Sequence, residues 1–265
     1  MSSSYEHNRE AWDARVTKGQ PHTEPASEKE FRAGLAALAP EGWLDAELQG
    51  RNVLCLAAGG GKHSLLFAAL GANVTVVDLS PRVLELDRKA AAARRLRVTT
   101  VETSMDNLRM FDPGSFELVF HPVSTCYVPN VLSVYKEVAR VTSPLGIYIS
   151  QHKQPASLQC DPLPGSGGYL VREEYYRTSS LPDIRGDWQH REAGTVEFLH
   201  RLEDLLGGMC RAGFAIEDVI EPRHWDDKAA PGTFGHRSKY LPPFIAIKAR
   251  RRFDGKSGGS TLRPA

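Results

Sequence analysis

Residues 51–81, RNVLCLAAGGGKHSLLFAALGANVTVVDLSP, constrain this chain more than any other stretch. Residues 52–57 are a short apolar run of strand length, and Gly59, Gly60 and Gly61 follow it. Three glycines there permit a tight turn whose backbone can approach a ligand closely. Leu65, Leu66, Ala68, Ala69 and Leu70 then recur at helical spacing, and Gly71 closes the helix. Residues 73–77 form a second, β-branched strand that ends on Asp78. A carboxylate at the C-terminal end of a parallel strand lies where doubly wound sheets bind their ligands, and it can accept both hydroxyls of a ribose.

This arrangement resembles motif I, and the acidic position after it, of the class I S-adenosylmethionine (SAM) dependent methyltransferases. On the family pattern Asp/Glu-x-Gly-x-Gly-x-Gly the chain places Cys55, Ala57, Gly59 and Gly61. The resemblance implies a Rossmann-like three-layer α/β/α sandwich: a seven-stranded, mostly parallel sheet with the last strand antiparallel. It also implies SAM as the cofactor, held by Ala57, Ala58, Gly59, Gly61, Asp78 and Leu79. Two positions depart from the pattern. Cys55 cannot do what the family's acid does, which is to orient the loop and, often through water, the methionine ammonium. Ala57 replaces the first glycine, which a negative φ would allow.

The rest of the chain continues the alternation of strand and helix. Before the glycine turn, residues 5–18 have a helical pattern with Trp12 and Val16, and Ser27 with Glu30 forms a capping box for a second helix over 27–38. Residues 8–27, NREAWDARVTKGQPHTEPAS, resemble the N-terminal segment that small-molecule methyltransferases often place over the SAM site, so 1–50 are read as N-terminal helices and lid, and a closed lid would exclude water. The competing assignment for the first helix is a surface helix with one packed tryptophan. After the turn, Ser80 and Pro81 start a long helix that ends on Arg94, Arg95 and Arg97, a basic terminus that complements the helix dipole. Strands are expected at 97–103, 116–120, 145–151 and 214–220, with a helix over 131–141. This alternation argues for a parallel sheet with right-handed crossovers. A final strand from YLPPFIAIKAR matches the family's antiparallel one, so the methyltransferase domain spans 51–252. The basic, Gly/Ser-rich residues 253–265 read as a flexible tail.

Candidate site residues come from the strand ends. By resemblance, SMDNL after the third strand holds the adenine through Ser104, Met105 and Asp106, although Ser104 and Asp106 also suit a plain helix start. His121, at the end of the fourth strand, would lie beside the methionine half of SAM, or else be a hydrogen-bonded structural imidazole. Tyr127 would face the substrate, and His152 emerges after strand five. Residues 154–193 break the pattern, and their aromatics, including Tyr169, Tyr175, Tyr176 and Trp188, argue against disorder. They are read as an inserted substrate cap, or as a hairpin over the sheet edge. Residues 195–212 carry a strong amphipathic helical pattern on which His200 becomes a pocket candidate. The candidate catalytic set is therefore His121, Tyr127, His152, Tyr176 and His200.

Thirty-three Lys plus Arg against 32 Asp plus Glu leave a formal charge of +1, so no global field attracts nucleic acid. The four cysteines are widely spaced without a Cys-x-x-Cys pair, which suggests buried reduced thiols and neither a metal site nor a disulfide framework. No membrane-length apolar run and no signal-peptide core are present, so a soluble, cytoplasmic monomer or homodimer is expected. The expected activity is methyl transfer from SAM to an O, N or C atom of a small molecule. The alternatives are a SAM enzyme of non-methylating chemistry, such as cyclisation of SAM's aminobutyl arm, a non-enzymatic SAM-binding module, and an NAD-dependent oxidoreductase, whose fold also opens on strand, glycine loop and helix.

Overall fold

The computed structural model describes residues 3–40, 42–44, 47–184 and 190–252. Its frame is a seven-stranded sheet in the order β3-β2-β1-β4-β5-β7-β6. The strands are β1 (Asn52–Leu56), β2 (Asn73–Asp78), β3 (Val98–Glu102), β4 (Phe116–His121), β5 (Thr142–Lys153), β6 (Phe214–Ile220) and β7 (Phe244–Arg251). Strands β1 to β5 pair in parallel, whereas β7 pairs antiparallel with both β5 and β6. The chain order reverses between β1 and β4, which opens a crevice at the C-terminal ends of those two strands.

Apolar residues fill both faces of the sheet, so the frame is buried on two sides. Leu54, Leu56, Val119 and Tyr148 pack with helix α5 (Val131–Val141) on one face. Val53, Cys55, Val76 and Phe120 pack with helix α3 (His63–Ala69) on the other. Helix α4 (Pro81–Ala93) is capped by the Ser80 hydroxyl, which accepts the Val83 N–H, as the Ser-Pro start predicts. Helix α1 (Ser3–Thr17) lies across the crevice, and α2 (Glu28–Ala33) carries the capping box of Ser27 and Glu30. The helix expected over 27–38 stops at Ala33, because Gly34 turns left-handed at φ 56° and a short 3-10 turn follows.

The largest departure from the sequence pattern is at 195–212. Instead of one helix, residues 196–200 run irregularly into a π-helical turn, Glu203–Gly207, and a short α7 (Gly208–Arg211). Long-range bonds win over local periodicity here. The Glu197 carbonyl accepts the Leu181 N–H at 2.7 Å, and the Phe198 N–H donates to the Cys126 carbonyl at 2.7 Å. Asn8 of α1 accepts the Val196 N–H at 2.7 Å, so the backbone groups a helix would use are engaged elsewhere.

The insertion after β5 makes helix α6 (Pro155–Gln159) and a small antiparallel turn bridged at Cys160/Val171 and Gly165/Gly168. It has its own small core of Leu158, Leu181 and Leu199 against Tyr175. Arg237 of α8 (Phe234–Arg237) pins it, donating to the Ser157 hydroxyl and to the carbonyls of Ser157, Cys160 and Asp161. Cys55 and Cys126 are buried thiols, but Cys160 is half-buried and Cys210 exposed, which corrects the expectation of four buried ones. Trp188 and the tail 253–265 lie outside the described residues. No helix among the described residues is long and apolar enough to cross a membrane.

Candidate functional site

The glycine turn uses its residues for two different reasons. Gly60 and Gly61 take φ of 104° and 80°, a region that disfavours side chains. Gly59 has no such φ. A Cβ there would lie 2.4 Å from Val83 Cγ1 and 3.1 Å from Asp78 Oδ2, so the space itself requires glycine. Ala57 has φ 45°, and the expectation of a negative φ is corrected. Alanine adopts the glycine-like backbone at a strain of about 1 kcal/mol. Its N–H donates to the Val77 carbonyl at 2.7 Å, which joins the turn to β2.

Asp78 stands at the end of β2 beside this turn. Its Oδ2 accepts the Gly59 N–H at 3.1 Å, and its Oδ1 accepts the Ser80 N–H at 3.0 Å. Burial raises its pKa, while these N–H groups and that of Leu79 pull it back. A carboxylate offers about four lone-pair directions. Backbone N–H groups of Gly59, Ser80 and Leu79 occupy up to three of them, which leaves capacity for a ligand hydroxyl.

The turn borders a cleft of about 650 Å³. Ala57, Ala58, Gly59, Asp78, Leu79, Ser104 and Met105 line one side. Tyr127, Ser124, Gln151, Glu192, His224 and Phe244 line the other. Tyr5, Asn8, Arg9 and Trp12 of α1, with His22, Glu24 and Pro25, cover it. Helix α1 is anchored on three separate parts of the fold. The Tyr5 hydroxyl donates to Asp106 Oδ2 at 2.6 Å, Asn8 donates to the Tyr127 carbonyl at 3.2 Å, and Asp13 accepts the Ser80 hydroxyl at 2.6 Å. Gly61 and Asp106 stand behind the lining: Gly61 packs near Pro25 and Ala90, and Asp106 binds Tyr5 and Ser104.

The structure scatters the other candidates. Of the five residues proposed for catalysis, only Tyr127 lines the cleft, and its hydroxyl donates to Glu192 at 2.7 Å. His121 is sealed below, with Nδ1 at 2.8 Å from the Tyr148 hydroxyl and Nε2 at 2.8 Å from the Ser124 hydroxyl. His152 lies between the hydroxyls of Thr125 and Ser150, each at 2.8 Å, and His200 Nε2 is 2.9 Å from the Thr125 carbonyl. Burial lowers the pKa of all three, to about 3 for His121, so they remain neutral supports of the 122–128 loop. Tyr176 is 76% exposed and borders a separate hollow of about 360 Å³ with His200, Arg201 and Asp204.

Sequence patterns left other lining groups unnoticed. His63, directly after the glycine turn, faces the cleft with its ring 4.9 Å from that of Phe120. Burial and then the adjacent Lys62 lower its pKa to about 4, and among the described residues it has no hydrogen-bond partner. Its place two residues past Gly61, at a helix start, was the available signal. Lys62 pairs with Glu30 at 2.8 Å. No local motif pointed to Glu192. It belongs to a buried cluster in which Lys153 Nζ lies 2.7 Å from Glu192 and 3.0 Å from Glu197, and Arg191 Nε lies 2.9 Å from Glu197. Burial works to raise the Glu192 pKa, but Lys153 and then Tyr127 hold it down at about 2. The cleft therefore offers a backbone cradle, a ribose-suited carboxylate, a neutral imidazole and an ionised carboxylate that is already paired.

A family model described as a methyltransferase domain matches residues 54–150. A Bacillus subtilis (strain 168) protein named "Uncharacterized methyltransferase YbaJ" is 34% identical over 236 residues, which cover 84% of this chain and 92% of that protein. Among solved structures, an S-adenosylmethionine dependent methyltransferase from Mesorhizobium loti superposes with a TM-score of 0.62 at 24% identity, covering 84% of this chain and 98% of that one. The [4+2]-cyclase SpnF superposes with a TM-score of 0.57 at 17% identity, covering 94% of this chain and 95% of its own.

Proposed function

The chain belongs to the class I SAM-dependent methyltransferases, and from that premise we propose that its cleft transfers a methyl group from SAM to an oxygen, nitrogen or carbon atom of a small-molecule acceptor. The observation that carries this reading is the single cleft shared by the glycine turn, Asp78 and a separate set of aromatic and polar side chains. The residues present fit the cosubstrate. Gly59 leaves room that any Cβ would fill, and Asp78 keeps acceptor capacity toward hydroxyls. Leu79 and Met105 flank the place of an adenine, with Ser104 on the same wall and Asp106 behind it.

When bound, SAM supplies a methyl carbon already activated by the attached sulfonium. The protein's share is then mainly alignment of the acceptor and exclusion of water. Helix α1 serves as the lid, anchored through Tyr5, Asn8 and Asp13. Tyr127, Glu192, Gln151, His224 and Phe244 form the acceptor's wall. The Tyr127 proton is committed to Glu192, so this tyrosine orients an acceptor through its ring and oxygen. An acceptor that must lose a proton finds its base in His63 or His224, the neutral imidazoles that face the cleft. Of the described residues within 154–193, Glu192 lines this site, while Leu158, Leu181 and Tyr175 pack with Leu199 outside it.

Mass spectrometry of the protein with SAM, alone and with a panel of small phenols, amines and enolisable ketones, tests the reading. S-adenosylhomocysteine (SAH) formed only when an acceptor is present is the expected result. Methylthioadenosine released without acceptor would overturn it in favour of cyclisation of the aminobutyl arm.

A further inference from the structure

Behind the glycine turn lies a carboxylate that the cleft itself does not use. Asp87, on the inner face of α4, has no exposed surface. Its Oδ2 accepts the Gly60 N–H at 2.7 Å, and its Oδ1 accepts the hydroxyl of Ser64 in the first turn of α3. The Gly61 N–H adds a further bond to it. One side chain from a neighbouring helix thus holds two successive amides of the turn and the helix that follows them.

Such a placement is costly in isolation, because a buried carboxylate loses its hydration and recovers only what its hydrogen bonds return. Burial accordingly raises its pKa to about 6, against the pull of Ser64 and Gly60. Gly60 and Gly61 both sit at positive φ, where a free chain would not dwell in one geometry, so their orientation needs an external tie. Across the turn stands Cys55, fully buried on β1, whose thiol is kept protonated by burial and next by the charge of Asp87. Cys55 makes no hydrogen bond to the turn among the described residues, and it occupies the position where the family pattern has an acid.

We propose that Asp87 is the positioning residue of the glycine turn, an acid supplied from α4 in place of one on β1. It fixes Gly60 and Gly61 from behind and so presents the backbone of Ala57–Gly59 to the cleft. The inference rests on the reading of that cleft as a SAM site only for its ligand. The clamp itself is a property of the free protein.

Two measurements on Asp87→Asn separate the claims. Hydrogen exchange of the ligand-free protein reports the clamp: amides of 57–62 should exchange about tenfold faster, as for a lost charged hydrogen bond, while those of β4 and β5 stay protected. Unchanged exchange at 57–62 overturns the proposal. Calorimetry with SAH reports its consequence, an affinity loss of about tenfold or more in Asp87→Asn. Adding Cys55→Asp to that variant returns an acid to the turn from the opposite side and should recover most of the loss. A purely structural Asp87 predicts no such rescue, because moving the buried acid from α4 to β1 would not restore the packing of α4, so failure of the double variant to gain affinity counts against positioning. Wild-type protein that fails to bind SAH refutes the reading of the cleft and leaves the exchange test standing. Should Asp87→Asn not fold, Ser64→Ala keeps the carboxylate and removes one of its donors. Faster exchange at 57–62 is then expected, and wild-type rates would overturn the clamp.

Discussion

The two sides of the cleft are built by different means. On the side of β1, β2 and the glycine turn, each residue's task is set by its immediate neighbours: Gly59 by the space before Val83, Gly60 and Gly61 by their φ, Asp78 by the end of its strand. On the side proposed for the acceptor, the lining comes from segments far apart in sequence. Tyr127, Glu192 and Phe244 meet there, and the wall is held by the buried group of Lys153, Glu192, Glu197 and Arg191. The first side could be reused with many acceptors. On the function proposed above, the second is where this chain's own specificity lies.

The largest effect that would sharpen this contrast is Lys153→Ala. It leaves two buried carboxylates facing each other, and loss of one partner from a buried ionic group costs about 3–5 kcal/mol. Denaturant unfolding should show that loss; a change below about 1 kcal/mol would mean that the acceptor wall does not depend on the cluster.

A second test uses acid. Burial holds His121 at about 3 rather than its ordinary 6.5. The unfolded chain takes up a proton below 6.5 that the folded imidazole refuses, so the stability this group contributes is complete above 6.5 and is lost as pH falls toward 3. His121→Gln should flatten the pH dependence of unfolding free energy between those limits by up to about 1.4 kcal/mol per pH unit. An unaltered slope would place the neutral histidine support elsewhere.

On the turn side the expected effect is smaller. Ala57→Gly removes the strain of a left-handed alanine but adds chain entropy, for a net stabilisation of up to about 1 kcal/mol. Destabilisation would mean that the Ala57 methyl has a packing role that outweighs its φ. The smallest effect belongs to Tyr176, which is outside the cleft: Tyr176→Ala should leave turnover within about twofold, as for a surface change, and a greater loss would bring the insertion's outer face into the site.

How far the sequence could be read follows the same division. The seven strands and the Ser80 and Ser27 caps were legible because each depends on a local pattern of apolar residues, caps and turns, whereas the antiparallel direction of the last strand came from the family resemblance. The break of 195–212 was not, since periodicity cannot reveal that Asn8, Leu181 and Cys126 will take the backbone bonds of 196–198. For the same reason His121 and His152 looked like reactive strand-end imidazoles, although Tyr148, Ser124, Thr125 and Ser150 close around them. His63 and Asp87 went the other way. Their roles depend on which face of a helix meets the turn, and only the packed fold supplies that.

The central claim is that the turn and Asp78 form the nucleotide end of the cleft. Calorimetric titration of SAH into the wild type and Asp78→Ala tests it most directly. The account predicts binding by the wild type and a loss of about 1.5–3 kcal/mol in the variant, the range for hydrogen bonds to a charged group. Equal affinity in the two proteins, or binding of NAD in place of SAH, would contradict it.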